Sequence, residues 1–298
     1  MSQVAQVAVG AAAPAAAPRP RRGGAVPRRR VMVWVGAIVV AVNGFFPALW
    51  ILLTSLKTET ELIRSPITYL PDAPTLQNYV TAFSAQPLLR FMWNSLVVAS
   101  LSTALCVLVS ALAAYALTRL RIPGRNLIMA TLLAVSMFPL ISLLVPLFRV
   151  MREIGLINTY PALILPYAVL SMPVCTLVLA SFFQDIPPDL EAAAMIDGCS
   201  RVGALFRVVL PLSAPGVFTA AILAFVNAWD EFLLALTLMN RVQMRTLSVG
   251  ITLYQGEFAF PWPLISAALV VAIVPISILI AVFQERVVGG LTAGGMKG

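Results

Sequence analysis

Three polar residues interrupt an otherwise apolar stretch: Asn227, Asp230 and Glu231. Spaced i, i+3 and i+4, they share one face of any helix that carries them. Trp229 and Phe232 flank them with aromatic rings. Such a face either lines a hydrated path or pairs with another polar surface. Four more acids, Asp185, Asp189, Glu191 and Asp197, crowd a short segment of different make-up, DIPPDLEAAAMIDGCS. Several chemistries are excluded. The chain has no histidine, so no histidine triad, metal site or pH switch can be assembled from it. Cys106, Cys175 and Cys199 are widely spaced and odd in number. They match neither a metal spacing nor a disulfide framework and read as small, soft packing residues. The ending Gly294-Gly295-Met296-Lys297-Gly298 lacks a strand before it, a helix after it and a Ser or Thr following the lysine. It is therefore not a phosphate loop, and no Walker A pattern occurs elsewhere.

The elements that position these residues follow from composition. Of 298 residues, 60% are apolar and only 11% charged, and mean hydropathy is +0.94. A soluble domain carries about a quarter of its residues charged, so a water-soluble globule is excluded. The net charge of +8 could suit nucleic acid, but no such module is built from so apolar a chain. Charge-free windows run over 31–56, 91–118, 126–148, 154–184, 208–229 and 258–284. Roughly 20 apolar residues cross the hydrocarbon as a helix, and the short alternating segments of a barrel are absent. The expectation is an all-α, polytopic membrane protein with six transmembrane helices, kinked at Pro139, Pro146, Pro166 and Pro173.

Residues 1–30 hold six arginines and no acid, which predicts a disordered basic tail. The following apolar stretch is too long for a signal peptide. Domains are then expected as 1–30 tail, 31–56 first span, 57–90 outer loop, 91–284 transmembrane core with its loop 185–211, and 285–298 tail. Thirteen Lys and Arg fall on the side of the termini and seven on the other. The positive-inside rule places both termini in the cytoplasm.

The 185–211 loop is unlike an ordinary connector. Pro187-Pro188 starts a helix with Asp189 and Glu191 in its first turn, where carboxylates favour the positive helix end. Gly198 suits a C-terminal cap. A second short helix from Ser200 carries Val202, Leu205, Phe206 and Val209 as one apolar stripe, and Leu210-Pro211 ends it. The pair either rests on lipid as an interfacial helix or forms a knob whose stripe fills a partner's cleft.

Ala193-Ala194, Gly198 and Leu210-Pro211 resemble the EAA loop of bacterial ABC importer permeases, with the acid one place earlier than in that motif, at Glu191. Tyr115-Ala116-Leu117-Thr118-Arg119-Leu120-Arg121 and Asn227-Ala228-Trp229-Asp230-Glu231-Phe232 are similar to stretches of carbohydrate permeases of the maltose/trehalose type. The ending 290–298 is similar to that of the shorter permease subunit of maltose-type systems. The likeness covers about residues 31–298.

This resemblance implies the type I ABC importer permease fold, in a bacterial inner membrane. The chain would be a non-enzymatic permease subunit importing a di- or oligosaccharide and binding no cofactor or metal, with ATP hydrolysed by a partner. A polyol or glycerol-phosphate importer is the alternative, and an ion-coupled secondary transporter is a rival of another class. Partners would be a homologous permease, two ATPase subunits and an extracytoplasmic solute-binding protein.

The ATPase-coupling residues would be Glu191, Ala193, Ala194, Asp197, Gly198, Leu205, Phe206, Leu210 and Pro211. Asn227, Trp229, Asp230 and Glu231 would line the translocation path, exchanging hydrogen bonds with sugar hydroxyls, or else make a structural polar contact. Gly250, Tyr254, Gln255, Gly256 and Glu257 would reach the binding protein, although by physics alone this loop is a plain connector. The C-terminal tail would contact the ATPase dimer or fray.

Overall fold

The computed structural model describes residues 28–256 and 260–295, with side chains from 32 to 256 and from 260 to 283. Among the described residues every regular element is helical. The chain divides into two units, residues 1–48 and 49–298. Helix α1 (Arg28–Ser55) runs through the boundary. Trp34, Ile38 and Phe45 of its first part are exposed, as on a span that meets lipid.

In the second unit a short α2 (Glu59–Leu62) and α3 (Gln77–Ala85) precede α4 (Leu88–Arg119). At 32 residues, α4 is about 48 Å long, well beyond the roughly 30 Å of hydrocarbon. Then come α5 (Arg125–Ser136), α6 (Leu140–Glu153) and α7 (Pro161–Gln184). The loop holds α8 (Pro188–Ile196), α9 (Arg201–Ala204), a π-helical turn Leu205–Val209 and α10 (Leu210–Leu212). The last helices are α11 (Ala214–Asp230), α12 (Leu233–Leu238), α13 (Leu247–Ile251) and α14 (Trp262–Gly295).

Among the described residues four helices are long and apolar enough to cross a membrane, and the number rises to the expected six only when each of two bent helix pairs counts as one span. The window expected as one helix over 126–148 is α5 and α6, meeting at 90°. Proline is the cause. Pro139 caps α6 and has no N–H to give, and its ring bars the preceding residue from the helical region. Pro139 thus breaks its span, whereas Pro146, Pro166 and Pro173 lie inside helices. Pro211 is the opposite surprise. The helix runs on through it to Leu212 after the turn at 205–209 widens to π, with Leu210 N–H bonded to Leu205 O.

The centre of the bundle is α4 packed on α7 and α11. Lipid tails are as apolar as leucine, so helices associate here by close packing, which favours small residues. Ser102, Cys106, Ser110 and Ala114 make such a ladder at i+4 spacing, all buried, and Ser110 Oγ donates to Met172 O of α7 at 3.4 Å. Cys175 sits equally buried opposite, its Sγ 3.4 Å from Ala220 O of α11. Gly216 admits α11 to α7: a Cβ there would lie 2.4 Å from the Phe182 ring. Leu101, Leu108 and Leu112, on the other side of α4, are exposed.

Candidate functional site

The α7–α11 loop is two short helices joined by a fixed corner. α8 begins at Pro188 with Asp189 and Glu191 in its first turn. It closes in a Schellman arrangement, Gly198 N–H on Met195 O at 3.1 Å and Cys199 N–H on Ala194 O at 3.0 Å. Gly198 has φ 92°, a left-handed conformation that side chains with a Cβ resist. No atom lies within 4 Å of where a Cβ would stand, so the demand for glycine is conformational, not steric. Ser200 then caps α9, its Oγ accepting the Gly203 N–H at 3.0 Å.

The expected single apolar stripe divides. Leu205 and Val209 are fully buried in the bundle core, while Val202 and Phe206 are exposed. Leu205 therefore packs inward and offers nothing to a partner. The loop's exposed residues include Leu190, Ala193, Met195, Ile196, Asp197, Val202, Phe206 and Pro211, with Ala194 and Leu210 half-buried. Glu191 turns the other way. Tyr115 of α4 donates its hydroxyl to Glu191 Oε1, and Arg119 Nε pairs with Oε2 at 3.1 Å. Buried between them, Glu191 faces the bundle.

At the end of α11 the shared-face expectation holds for Asn227 and Asp230 only as a spacing. The helix stops at Asp230, and Glu231 is extended, ψ 131°. Its carboxylate turns to the start of α12, where Oε1 accepts Leu234 N–H at 2.9 Å and Oε2 accepts Ala235 N–H at 3.1 Å. Tyr167 of α7 adds its hydroxyl to Oε2 at 2.5 Å. Four uncapped amides at a helix start need acceptors, and a carboxylate there also opposes the helix dipole.

Asn227 and Glu231 line a cavity of about 330 Å³ with Tyr167, Ser171 and residues of α5 and α6. Asp230 opens instead to a separate cavity of about 340 Å³ against Ser248 and α14. Trp229 is buried and stacks on Phe225, ring centroids 5.7 Å apart. It also lines the cavity to which Asp230 opens.

The α12–α14 segment is tied down from α4. Asn94, fully buried, gives both amide hydrogens to Gln243 O and Arg245 O at 2.9 and 2.8 Å and accepts the Tyr160 hydroxyl at 2.8 Å. Next to it, Ser95 Oγ accepts Leu247 N–H at 2.8 Å. Gly250 packs on Phe91, where a Cβ would come within 2.2 Å of the ring. Tyr254 is buried and its hydroxyl bonds Ala82 O of α3 at 2.5 Å; burial pushes that phenol up to about 12. Gly250 and Tyr254 are thus internal supports, not a probing tip. Gln255 and Gly256 are exposed, and Glu257 lies outside the described residues.

A third polar cluster orders the α1–α4 connection. Glu61 Oε1 accepts from Thr68 Oγ1 at 2.7 Å and Asp72 N–H at 3.1 Å, with Lys57 Nζ at 3.9 Å. The Thr68 hydrogen bond, above all, holds the Glu61 carboxyl below its ordinary value against the upward pull of burial.

Tyr115, Arg119, Asn94, Ser95, Tyr160 and Tyr167 escape a reading of the sequence. Tyr115 and Arg119 register there only as part of a stretch similar to carbohydrate permeases, with no role assigned, and Tyr167 as one more apolar residue in a long window. A fully buried asparagine inside an apolar helix was the signal available for Asn94, since a buried amide requires partners. Among the described residues no three Cys, Asp or Glu side chains converge as a metal site.

Residues 107–292 match the family described as binding-protein-dependent transport system inner membrane component. The sulfoquinovosyl glycerol transport system permease protein of Agrobacterium fabrum is 67% identical over 265 residues, 89% of this chain and 93% of that one. The trehalose/maltose transport system permease protein of Thermococcus litoralis is 41% identical over 274 residues, 91% and 98% of the two chains. A chain in the crystal structure of a bacterial ABC transporter that imports the acidic polysaccharide alginate superposes with a TM-score of 0.74. At 19% identity over 87% of this chain and 97% of that one, it establishes the shared type I permease fold. The bent spans, the Gly198 corner and near-full-length kinship meet in one conclusion: this chain belongs to the binding-protein-dependent transport system inner membrane components, the permeases of ABC importers.

Proposed function

We propose that this chain is one of two permease subunits of an ATP-driven glycoside importer, with a glycerol-linked sulfosugar as the first solute to test. The observation that carries the substrate class is the 67% identity to a sulfoquinovosyl glycerol permease over nearly the whole chain, supported by the trehalose/maltose relative. A homologous permease would complete the path, two ATPase subunits would hydrolyse ATP, and a solute-binding protein would deliver the glycoside. Both termini would be cytoplasmic by the charge bias. Residues 31–56 would be the first span, 57–90 an outer loop and 91–284 the core.

The ATPase would seat on the exposed face of the α7–α11 loop, with Ala193, Met195, Ile196, Asp197, Val202 and Phe206 as contacts. Nucleotide-driven closure would move that loop and turn the bundle between inward- and outward-facing states. Asn227 and Asp230 would line the path, and Gln255, Gly256 and Glu257 would meet the binding protein. An ion-coupled carrier is the weaker reading: each Glu231 oxygen already accepts a hydrogen bond, which leaves it poorly placed to carry a coupling proton.

The test is uptake into proteoliposomes holding this chain with its partner permease and ATPase. Labelled sulfoquinovosyl glycerol, trehalose and maltose would be offered with and without ATP and binding protein. Uptake of at least one, dependent on both additions, is expected. Uptake of none, or uptake driven by an ion gradient without ATP, would overturn the proposal.

A further inference from the structure

Arg119 is the last residue of α4, and it joins three elements. Its Nη2 donates to Phe183 O at 2.9 Å and to Ile186 O at 2.7 Å, the carbonyls where α7 ends and the loop begins. Its Nε pairs with Glu191 Oε2 of α8 at 3.1 Å. One turn earlier on α4, Tyr115 gives its hydroxyl to the other oxygen of Glu191. The charged pair is nearly dry, with side-chain exposures of 11% and 8%.

Glu191 is the residue that α8 buries; Asp189, Leu190, Ala192, Ala193, Met195 and Ile196 are exposed. The loop is thus anchored at two points of different kind. Leu205 and Val209 of the π-helical turn are held by apolar packing, which is non-directional. The Glu191 anchor is directional: the Tyr115 hydroxyl donates to one oxygen, and the other is paired in charge with a guanidinium fixed by two carbonyls. An apolar anchor resists separation but tolerates rotation of the knob; a planar, multiply bonded guanidinium does not.

We propose that Tyr115, Arg119 and Glu191 form a transmission lock, positioning residues that compel α8 to move with α4 and α7 as one body. A push on the exposed face of the loop then reaches the bundle rather than being absorbed in a tilt of α8. This rests on the reading of the loop as the ATPase contact. It predicts that loosening the lock separates hydrolysis from transport rather than abolishing either binding or assembly.

The experiment uses the complete complex in proteoliposomes: both permeases, the ATPase pair and the solute-binding protein. Two quantities are read, glycoside taken up per ATP hydrolysed, and the stimulation of hydrolysis by loaded binding protein. E191Q and R119Q each leave a buried group without its charged partner. Complexes carrying them should hydrolyse ATP with little stimulation, and uptake per ATP should fall at least about ten-fold. The double variant E191Q/R119Q should be no worse than either single one, because neither charge is left alone. Y115F removes one hydroxyl and keeps the ring's packing, and should lower the ratio by a smaller factor.

Wild-type stoichiometry in assembled E191Q and R119Q complexes would overturn the lock. Should those two fail to assemble, Y115F decides: a lowered ratio supports the lock and an unchanged one overturns it. A wild-type complex with neither uptake nor stimulated hydrolysis overturns the functional reading itself, an outcome distinct from variants that stay coupled.

Discussion

Tyr167 and Glu231, 64 positions apart in sequence, share a 2.5 Å hydrogen bond that fastens α7 to the break between α11 and α12. The carboxylate that interrupts an apolar window thereby works as a helix cap. Loss of such a cap costs about 1 kcal/mol, up to about 2, and the Tyr167 hydroxyl would be left without an acceptor. E231A is therefore expected to lower the melting temperature of the detergent-solubilised protein by several degrees. D230A, whose side chain has no such role, should leave it unchanged and alter only uptake kinetics. Equal melting of E231A and wild type would remove the capping role.

Gly250 and Gly198 are needed for different reasons, and the two should separate by experiment. At Gly250 the obstacle is the fully buried Phe91 ring. G250A should destabilise by roughly 1–3 kcal/mol through overpacking, and F91L in the same chain should restore part of the loss. Thermal unfolding of the two variants, single and combined, checks this. Additive losses would contradict it.

At Gly198 there is space but an unfavourable φ. G198A should cost roughly 1–2 kcal/mol of left-handed strain at the corner. G198N should be milder, because asparagine visits that conformation more readily. Uptake should rank wild type, G198N, G198A, then bulkier β-branched residues. A G198V complex transporting normally would show that the corner's shape is irrelevant to coupling.

Glu61 supplies a pH dependence. Its folded carboxyl is held below its ordinary value of 4.5, by Thr68 first. A lowered folded value means that the stabilisation is present above the ordinary value and is lost as pH falls through the lowered one. Acid should therefore loosen the 56–87 segment in the window below about pH 4.5, seen as faster amide exchange there. In E61Q that step should vanish. If E61Q and wild type loosen alike, another group is responsible.

Much of the fold is legible in the sequence because charges bracket the spans and because local signals end the short helices. Gly198 and Ser200 are such signals, since a Schellman corner and an N-cap are decided within a few residues. The break at Pro139 was half-legible: proline announces a disturbance but not whether the helix runs on, as at Pro146, or turns at a right angle. Glu231 could not be placed by periodicity, because the helix period that would set its face stops one residue before it. The inward turn of Glu191 was equally hidden. It depends on a tyrosine and an arginine 76 and 72 positions away, and only tertiary packing brings those together. Long-range partners also explain why Tyr254 looked like a loop tip: its bond to Ala82 spans 172 positions.

Asn94 has every hydrogen-bonding group of its side chain occupied, two of them by carbonyls of the segment before α13. That saturation has a kinetic meaning. The segment loses its conformational freedom when the chain folds, so a partner that docked on this face would meet a surface already in its final shape. Its encounter rate would then be limited by orientation and charge rather than by waiting for a loop to settle, and the entropy of ordering would not weaken the complex.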